Sequence, residues 1–244
     1  MHMSILIIIV AALLPVAVLW FYAWRMDPLP EPRQWLWKAF VYGAAISFPV
    51  SFVEQVVNAA LFGPSEATTL FGTTAEAFFV AALPEESFKL LALWLVLRKN
   101  PFYDEHYDGI LYAVTVSLGF AAVENVMYLF ANADAWQSVA LMRALLAVPG
   151  HYAFGVMMGY YYSLYHFGQR TPRVRASILL VPVMGHGCYD AIALSGQVDP
   201  VAGSLSFIVL IYFCVKMQKL AKRNIYAHLE KDYRDYNERL RNES

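Results

Sequence analysis

The stretch Ala82-Leu83-Pro84-Glu85-Glu86-Ser87-Phe88-Lys89 lies inside an apolar segment running from about Thr74 to Leu97. An ionised side chain at bilayer depth costs roughly 2.5–3.5 kcal/mol on insertion scales, so such residues sit against partners inside a bundle. Two acids and an amine this close together therefore demand company from elsewhere in the chain. The sequence supplies it: Glu124-Asn125, His151 and His186-Gly187-Cys188-Tyr189-Asp190 each fall in an apolar segment of their own. Four helices meeting around one polar site within a membrane is the simplest arrangement that satisfies all of them.

The surrounding chain supports a membrane setting. Hydrophobic residues make up 59% of the 244 and charged ones 15%, with a mean hydropathy of +0.45. Soluble domains carry about 25% charged residues. Seven apolar segments are drawn, at about 4–24, 36–62, 75–97, 109–132, 138–164, 174–195 and 200–217. Each is near the ~20 residues that cross a ~30 Å hydrocarbon core. The expected fold is all-α, a polytopic membrane helix bundle of about seven transmembrane helices. A single membrane domain is expected over 1–217, followed by a polar cytoplasmic tail over 218–244 that reads as a short helix, with Leu220, Ile225, Leu229, Tyr233 and Tyr236 at helical spacing, lying at the headgroups or fraying into solvent. The N-terminus lacks a basic start and a small-residue cleavage site, so the first segment reads as an uncleaved helix.

Lys and Arg set the orientation. They fall in the first, third and fifth connections (Arg25 and Arg33; Arg98 and Lys99; Arg170, Arg173 and Arg175) and in the tail, and not in the second, fourth or sixth. By the positive-inside rule this places the N-terminus outside and the C-terminus in the cytoplasm. The two cysteines, Cys188 and Cys214, lie in apolar segments and form neither a disulfide framework nor a zinc-binding CxxC pair. His2, His106, His166 and His228 fall in termini or connections and are expected to be solvated.

Depth brings the polar residues together. At ~1.5 Å rise per residue, Glu85 and Glu86 lie about 15 Å from the outer boundary, Glu124 about 12 Å, His186 about 14 Å and His151 about 20 Å. Pro84, Pro149 and Pro182 mark the same layer and are expected to bow the helices around a small wet cavity. Lys89 shares a helix face with Glu85 at i,i+4 and with Glu86 at i,i+3. One glutamate can be held while the other takes a proton from water and returns it to a leaving amine. Asp190, four residues after His186, is placed to fix the imidazole. Two histidines and a carboxylate from separate helices, His151, His186 and Glu124, are candidate ligands for zinc with an open position for water. The same groups can polarise a water without metal. An isolated membrane histidine is more often only an interhelical hydrogen-bonding group. Glu54, Asn58 and Arg143 read as a structural set or an access path, outside the core site. The rival function is a proton- or cation-coupled transporter, because intramembrane Glu, His and Asp also build proton relays. It predicts paired broken helices from related halves, and no such repeat is evident.

Glu85-Glu86-x-x-Lys89, Phe120-x-x-x-Glu124-Asn125, His151 and His186-x-x-x-Asp190 together resemble the PrsW family of bacterial intramembrane proteases. They are more distantly similar to the CAAX prenyl endopeptidase and bacteriocin-processing superfamily, whose second motif carries His where this sequence has Glu124. The resemblance spans about residues 75–195. It implies an intramembrane endopeptidase in a bacterial or archaeal plasma membrane, acting on a single-pass substrate of the anti-sigma-factor kind near the outer face of the lipid bilayer. No nucleic-acid partner is expected. Carried over, Glu85 or Glu86 is the water-activating base and Lys89 orients the pair. His151 and His186 are metal ligands or transition-state stabilisers, Asp190 supports His186, and Glu124 and Asn125 complete the site.

Overall fold

The computed structural model describes residues 2–63, 69–198 and 200–243. Among them every regular element is helical. The elements are α1 (His2–Met26), α2 (Arg33–Phe62), α3 (Leu70–Ala75), α4 (Leu83–Leu97), α5 (His106–Ala131), α6 (Trp136–Met142), α7 (Val148–His166), α8 (Pro172–Val198) and α9 (Pro200–Glu243). Glu76–Ala82 joins α3 to α4, and Arg143–Ala147 joins α6 to α7, in each case as a π-helical turn. Six helical runs, among them α1, α2, α5 and α8, are long and apolar enough to cross a membrane. The remaining predicted segment, 75–97, falls in the run from Leu70 to Leu97 that carries Glu85, Glu86 and Lys89.

The bundle is built around α5, which is buried along nearly all of its first two-thirds. Outer helices turn one narrow stripe inward and the rest toward lipid. On α2 the buried stripe is Leu36, Ala39, Gly43, Ser47 and Val50, while Val41, Phe48, Phe52 and Val56 are exposed. Lipid is as apolar as any side chain, so close backbone packing drives such contacts and small residues line them. The approach is tight on both sides of α5: a Cβ on Gly43 of α2 would lie 2.0 Å from the Val116 carbonyl oxygen, and one on Gly159 of α7 2.3 Å from the Gly109 carbonyl oxygen.

The prolines explain the two π-helical turns. Pro84 and Pro149 have no N–H, and a proline ring collides with the carbonyl one α-helical turn before it. Widening the preceding turn relieves both problems. The N–H of Leu83 reaches back to Phe78 and that of Val148 to Arg143, five residues in each case. Pro182 is accommodated inside α8 without such a turn.

The tail departs from expectation. α9 runs without a break through the predicted 217/218 boundary, and Ala221, Ile225, His228 and Asp232 are buried. They recur at i, i+4, i+7 and i+11, one stripe of a helix, and this stripe packs back onto the bundle. The Asp232 carboxylate accepts hydrogen bonds from the backbone N–H groups of His106 and Tyr107, at 2.8 and 2.9 Å. It thereby caps the N-terminus of α5 from another helix. His106 and His228 are accordingly not solvated: their side chains are buried, with His106 Nδ1 against Asp232 at 3.0 Å and His228 Nε2 against the Tyr160 carbonyl at 3.0 Å. His166 is exposed as expected; the side chain of His2 lies outside the described ones.

Candidate active site

The site begins where the first π-helical turn ends. Pro84 restarts the α-helix, and the next two residues, Glu85 and Glu86, point inward with Lys89 one turn on. Lys89 Nζ donates to Glu85 Oε2 at 2.9 Å and to Glu86 Oε1 at 2.8 Å. It also approaches His151 Nδ1 at 3.2 Å and lies 4.4 Å from the centre of the Phe120 ring. All four of Lys89's neighbours come from the predicted motifs. The ammonium is fully buried, as is Glu86.

His151 stands two residues beyond Pro149, just past the second π-helical turn. Its Nε2 lies 2.7 Å from Glu124 Oε2. Arg143 closes the same group: Nη2 donates to Glu124 Oε2 at 2.8 Å and Nε to Asn125 Oδ1 at 2.6 Å. Asn125 in turn donates to the Ala12 carbonyl of α1. On α8, His186 Nδ1 lies 2.9 Å from Glu86 Oε1, and His186 Nε2 lies 3.2 Å from Asp190 Oδ2. Phe154 stacks on the His186 ring. A Cβ on Gly187 would lie 2.4 Å from the Phe78 ring, so glycine there lets α8 press against the π-helical turn and seats His186 beside Glu86.

Glu85, Glu86, Lys89, Glu124, Asn125, His151, His186 and Asp190 thus form one connected network. Arg143 belongs to it, although sequence reasoning had set it apart as a structural or access-path residue. The signal was its place as the one Lys or Arg of the segment 138–164, but no spacing tied it to Glu124. Glu54 lines the same cavity from α2. Phe154 carried no signal at all.

The two histidines differ in their commitments. His151 with its proton on Nε2 donates to Glu124 and accepts from Lys89 at Nδ1, so both nitrogens are satisfied. His186 stands between two carboxylates. If Nε2–H donates to Asp190, its Nδ1 lone pair faces a Glu86 oxygen, and a cation must lie between them, either a proton or a metal. Among the described residues the predicted ligand set His151, His186 and Glu124 does not bring its donor atoms into one close group. Donor atoms converge at Glu85, Glu86 and His186, whose ligand atoms lie within 4.8 Å of one another. Glu86 Oε2 is buried there without a hydrogen-bond partner among the described residues. Carboxylate and imidazole donors with Asp190 behind the imidazole suit a divalent ion such as zinc.

A cavity of about 560 Å³ opens onto this network. Glu85, Glu124, Arg143, His151, His186 and Asp190 line it; Glu86 and Lys89 do not. Apolar residues, among them Leu146, Ile192, Phe207 and Leu210, also line it.

A helical bundle of membrane-spanning length with acids, imidazoles and a cavity in its interior has what an enzyme working inside the bilayer requires. A family profile described as "PrsW family intramembrane metalloprotease" matches residues 31–217, and the chain belongs to the PrsW family. It is 34% identical over 209 residues to a Protease PrsW of Geobacillus kaustophilus, covering 85% of this chain and 88% of the relative. It is 32% identical over 219 residues to a Protease PrsW of Oceanobacillus iheyensis, covering 89% and 96%. A Protease PrsW of Bacillus subtilis is 32% identical over 209 residues, covering 84% and 91%. No solved structure matches the chain. Family and fold together make this a multi-pass intramembrane protease that acts on a membrane protein in the lipid bilayer, and they favour the protease over the transporter.

Proposed function

We propose that the protein is an endopeptidase that cleaves a single-pass membrane protein of the anti-sigma-factor kind, and that Glu85 is the base that activates water. The observation that carries the assignment is the asymmetry of the glutamate pair: Glu85 lines the cavity, whereas Glu86 is sealed behind it between Lys89 and His186. Glu85 takes the proton of a water in the cavity as the oxygen attacks the scissile carbonyl carbon, and returns it to the departing amine. Lys89 holds Glu85 and Glu86 in register and keeps the pair from repelling each other apart. Arg143 faces the cavity with Nε and Nη2 committed, leaving Nη1 to donate to the developing oxyanion. Glu124 anchors Arg143 and His151 together, and Asp190 orients His186.

A divalent metal, most simply zinc, would be held by Glu86 and His186, with Glu85 beside it left free as the base. It would supply a polarised water and a Lewis acid for the carbonyl. The depth at which the site residues fall along their helices, taken with the orientation that the alternation of Lys and Arg implies, supports cleavage near the outer face. The test has two parts. Metal content per chain is measured in purified wild type and His186→Ala; about one zinc, lost in the variant, supports the metal site, and none in either removes zinc from the proposal. Cleavage of a single-pass reporter is then compared between wild type and Glu85→Gln. Full cleavage by Glu85→Gln would exclude Glu85 as the base.

A further inference from the structure

At the other end of α5 from Glu124, about 24 Å away along the helix, lies a second group of acids that the proteolytic site does not use. It is built by two connections. The first, Asp27-Pro28-Leu29-Pro30-Glu31-Pro32, joins α1 to α2, and its alternate prolines fix the backbone that carries the acids. The second leads from α4 into α5 and carries Asp104, Glu105 and Asp108. Asp27 and Glu31 are each 7% exposed and Asp108 is fully buried.

The hydrogen bonds here leave oxygens over. Asp27 accepts from the backbone N–H groups of Leu29 and Glu31. Glu105 and Asp108 form a reciprocal cap at the start of α5, each accepting a backbone N–H with one carboxylate oxygen. Asp108 Oδ1 and Glu105 Oε2 remain, both buried and both without a partner among the described residues. No Lys or Arg among the described residues forms an ion pair with Asp27, Glu31, Asp104, Glu105 or Asp108; Arg239 is felt by Glu105 only at longer range. The Tyr112 hydroxyl donates to Glu31 Oε2, which satisfies one oxygen and removes no charge. Buried, unpaired carboxylates are costly, and these share their repulsion.

Ligand oxygens of Asp27, Glu105 and Asp108 lie within 4.8 Å of one another. Asp108 also belongs to a second such trio with Glu31 and Asp104. Metal–oxygen bonds of about 2.3–2.6 Å for calcium, or 2.0–2.1 Å for magnesium, bridge that spread with modest closure. The donors are all carboxylate oxygens, which select a hard cation over zinc. We infer that these two connections form a binding site for one hard divalent cation, calcium or magnesium, held by Asp27, Glu105 and Asp108. The ion neutralises the group and ties the α1–α2 connection to the start of α5.

Terbium is a luminescent stand-in for such ions, and Tyr112, bonded to Glu31, is placed to sensitise it. The experiment titrates terbium into full-length, chelator-treated protein in detergent, for wild type, Asp27→Asn, Glu105→Gln and His186→Ala. Glu105→Gln keeps a carbonyl oxygen for the helix cap and so preserves the start of α5 if another substitution does not. The expected result is saturable tyrosine-sensitised emission in wild type and His186→Ala, with affinity at least about tenfold weaker in Asp27→Asn and Glu105→Gln. Competition with calcium and with magnesium separates the two ions. The displacing ion should also raise the melting temperature of wild type by about 5 °C and leave Glu105→Gln unmoved. Absence of saturable emission in wild type would overturn the inference. So would emission that His186→Ala abolishes while Asp27→Asn and Glu105→Gln retain it, or emission that neither calcium nor magnesium displaces.

Discussion

Lys89 makes the sharpest demand of any single residue in this protein. It is fully buried, and its three donors are met by Glu85, Glu86 and His151. Removing the ammonium leaves two adjacent carboxylates facing each other without a counter-charge, so Lys89→Met is expected to destabilise the fold by about 3–5 kcal/mol as well as abolish cleavage. Glu85→Gln should behave differently. It keeps the shape and one acceptor, so the melting temperature should stay within a few degrees while the cleavage rate falls about 10²- to 10⁴-fold. Parallel thermal melts and reporter cleavage separate the two outcomes. If both variants melt alike, the distinction between a holding and an acting residue is wrong. These residues were legible in the sequence because a charge in an apolar segment stands out without any structure. Arg143 stood out for the same reason. Its partners did not, because nothing along the chain says which of several intramembrane acids a guanidinium will reach 18 or 19 residues away.

At the scale of the element, the two π-helical turns set the rotation at which Glu85, Glu86 and His151 enter the site. Each is enforced by the proline that follows it. Pro84→Ala restores an N–H to residue 84 and lets the turn tighten to α-helical geometry, which rotates the acids relative to His186 on α8. The variant should fold and should cleave about 10²-fold more slowly, since displacements of an ångström at a reacting group cost that much. Unchanged cleavage would show that the turn is only a packing device. The proline positions were readable; the register of the widened turn was not, because it depends on which carbonyl the freed N–H groups find. The tail shows the opposite case. Its polarity suggested solvent, but the stripe of Ala221, Ile225, His228 and Asp232 was present in the spacing and marked a docked face. Asp232→Ala leaves two N–H groups of α5 uncapped and is expected to cost about 1–3 kcal/mol, measured by denaturation in detergent. A smaller loss would mean that water takes over the cap.

For the whole molecule, the charge imbalance at the α1–α2 and α4–α5 connections turns into a dependence of stability on pH. Burial and mutual repulsion push Asp27 up to about 6 and Glu31 and Glu105 up to about 7, from ordinary values of 3.8 and 4.5. The facing groups are Asp104, Asp232, Tyr112 and, more distantly, Arg239. Between the ordinary and the raised values the folded protein holds more protons than the unfolded chain, so stability must fall as pH rises. In chelator the melting temperature should therefore be highest near pH 4 and decline to about pH 7 as the three acids ionise. A saturating divalent cation binds the ionised carboxylates and competes with their protons. Adding calcium or magnesium should lift the neutral-pH end of the curve and leave the acidic end in place, so that the decline flattens. Melting curves across this range, with chelator and with each cation, provide the measurement. A melting temperature that rises with pH in chelator would mean that the acids are compensated by a charge not assigned here. A decline that neither cation flattens would mean that protons alone neutralise the cluster, and that the two connections are held by shared protons and the Tyr112–Glu31 bond instead of a metal ion.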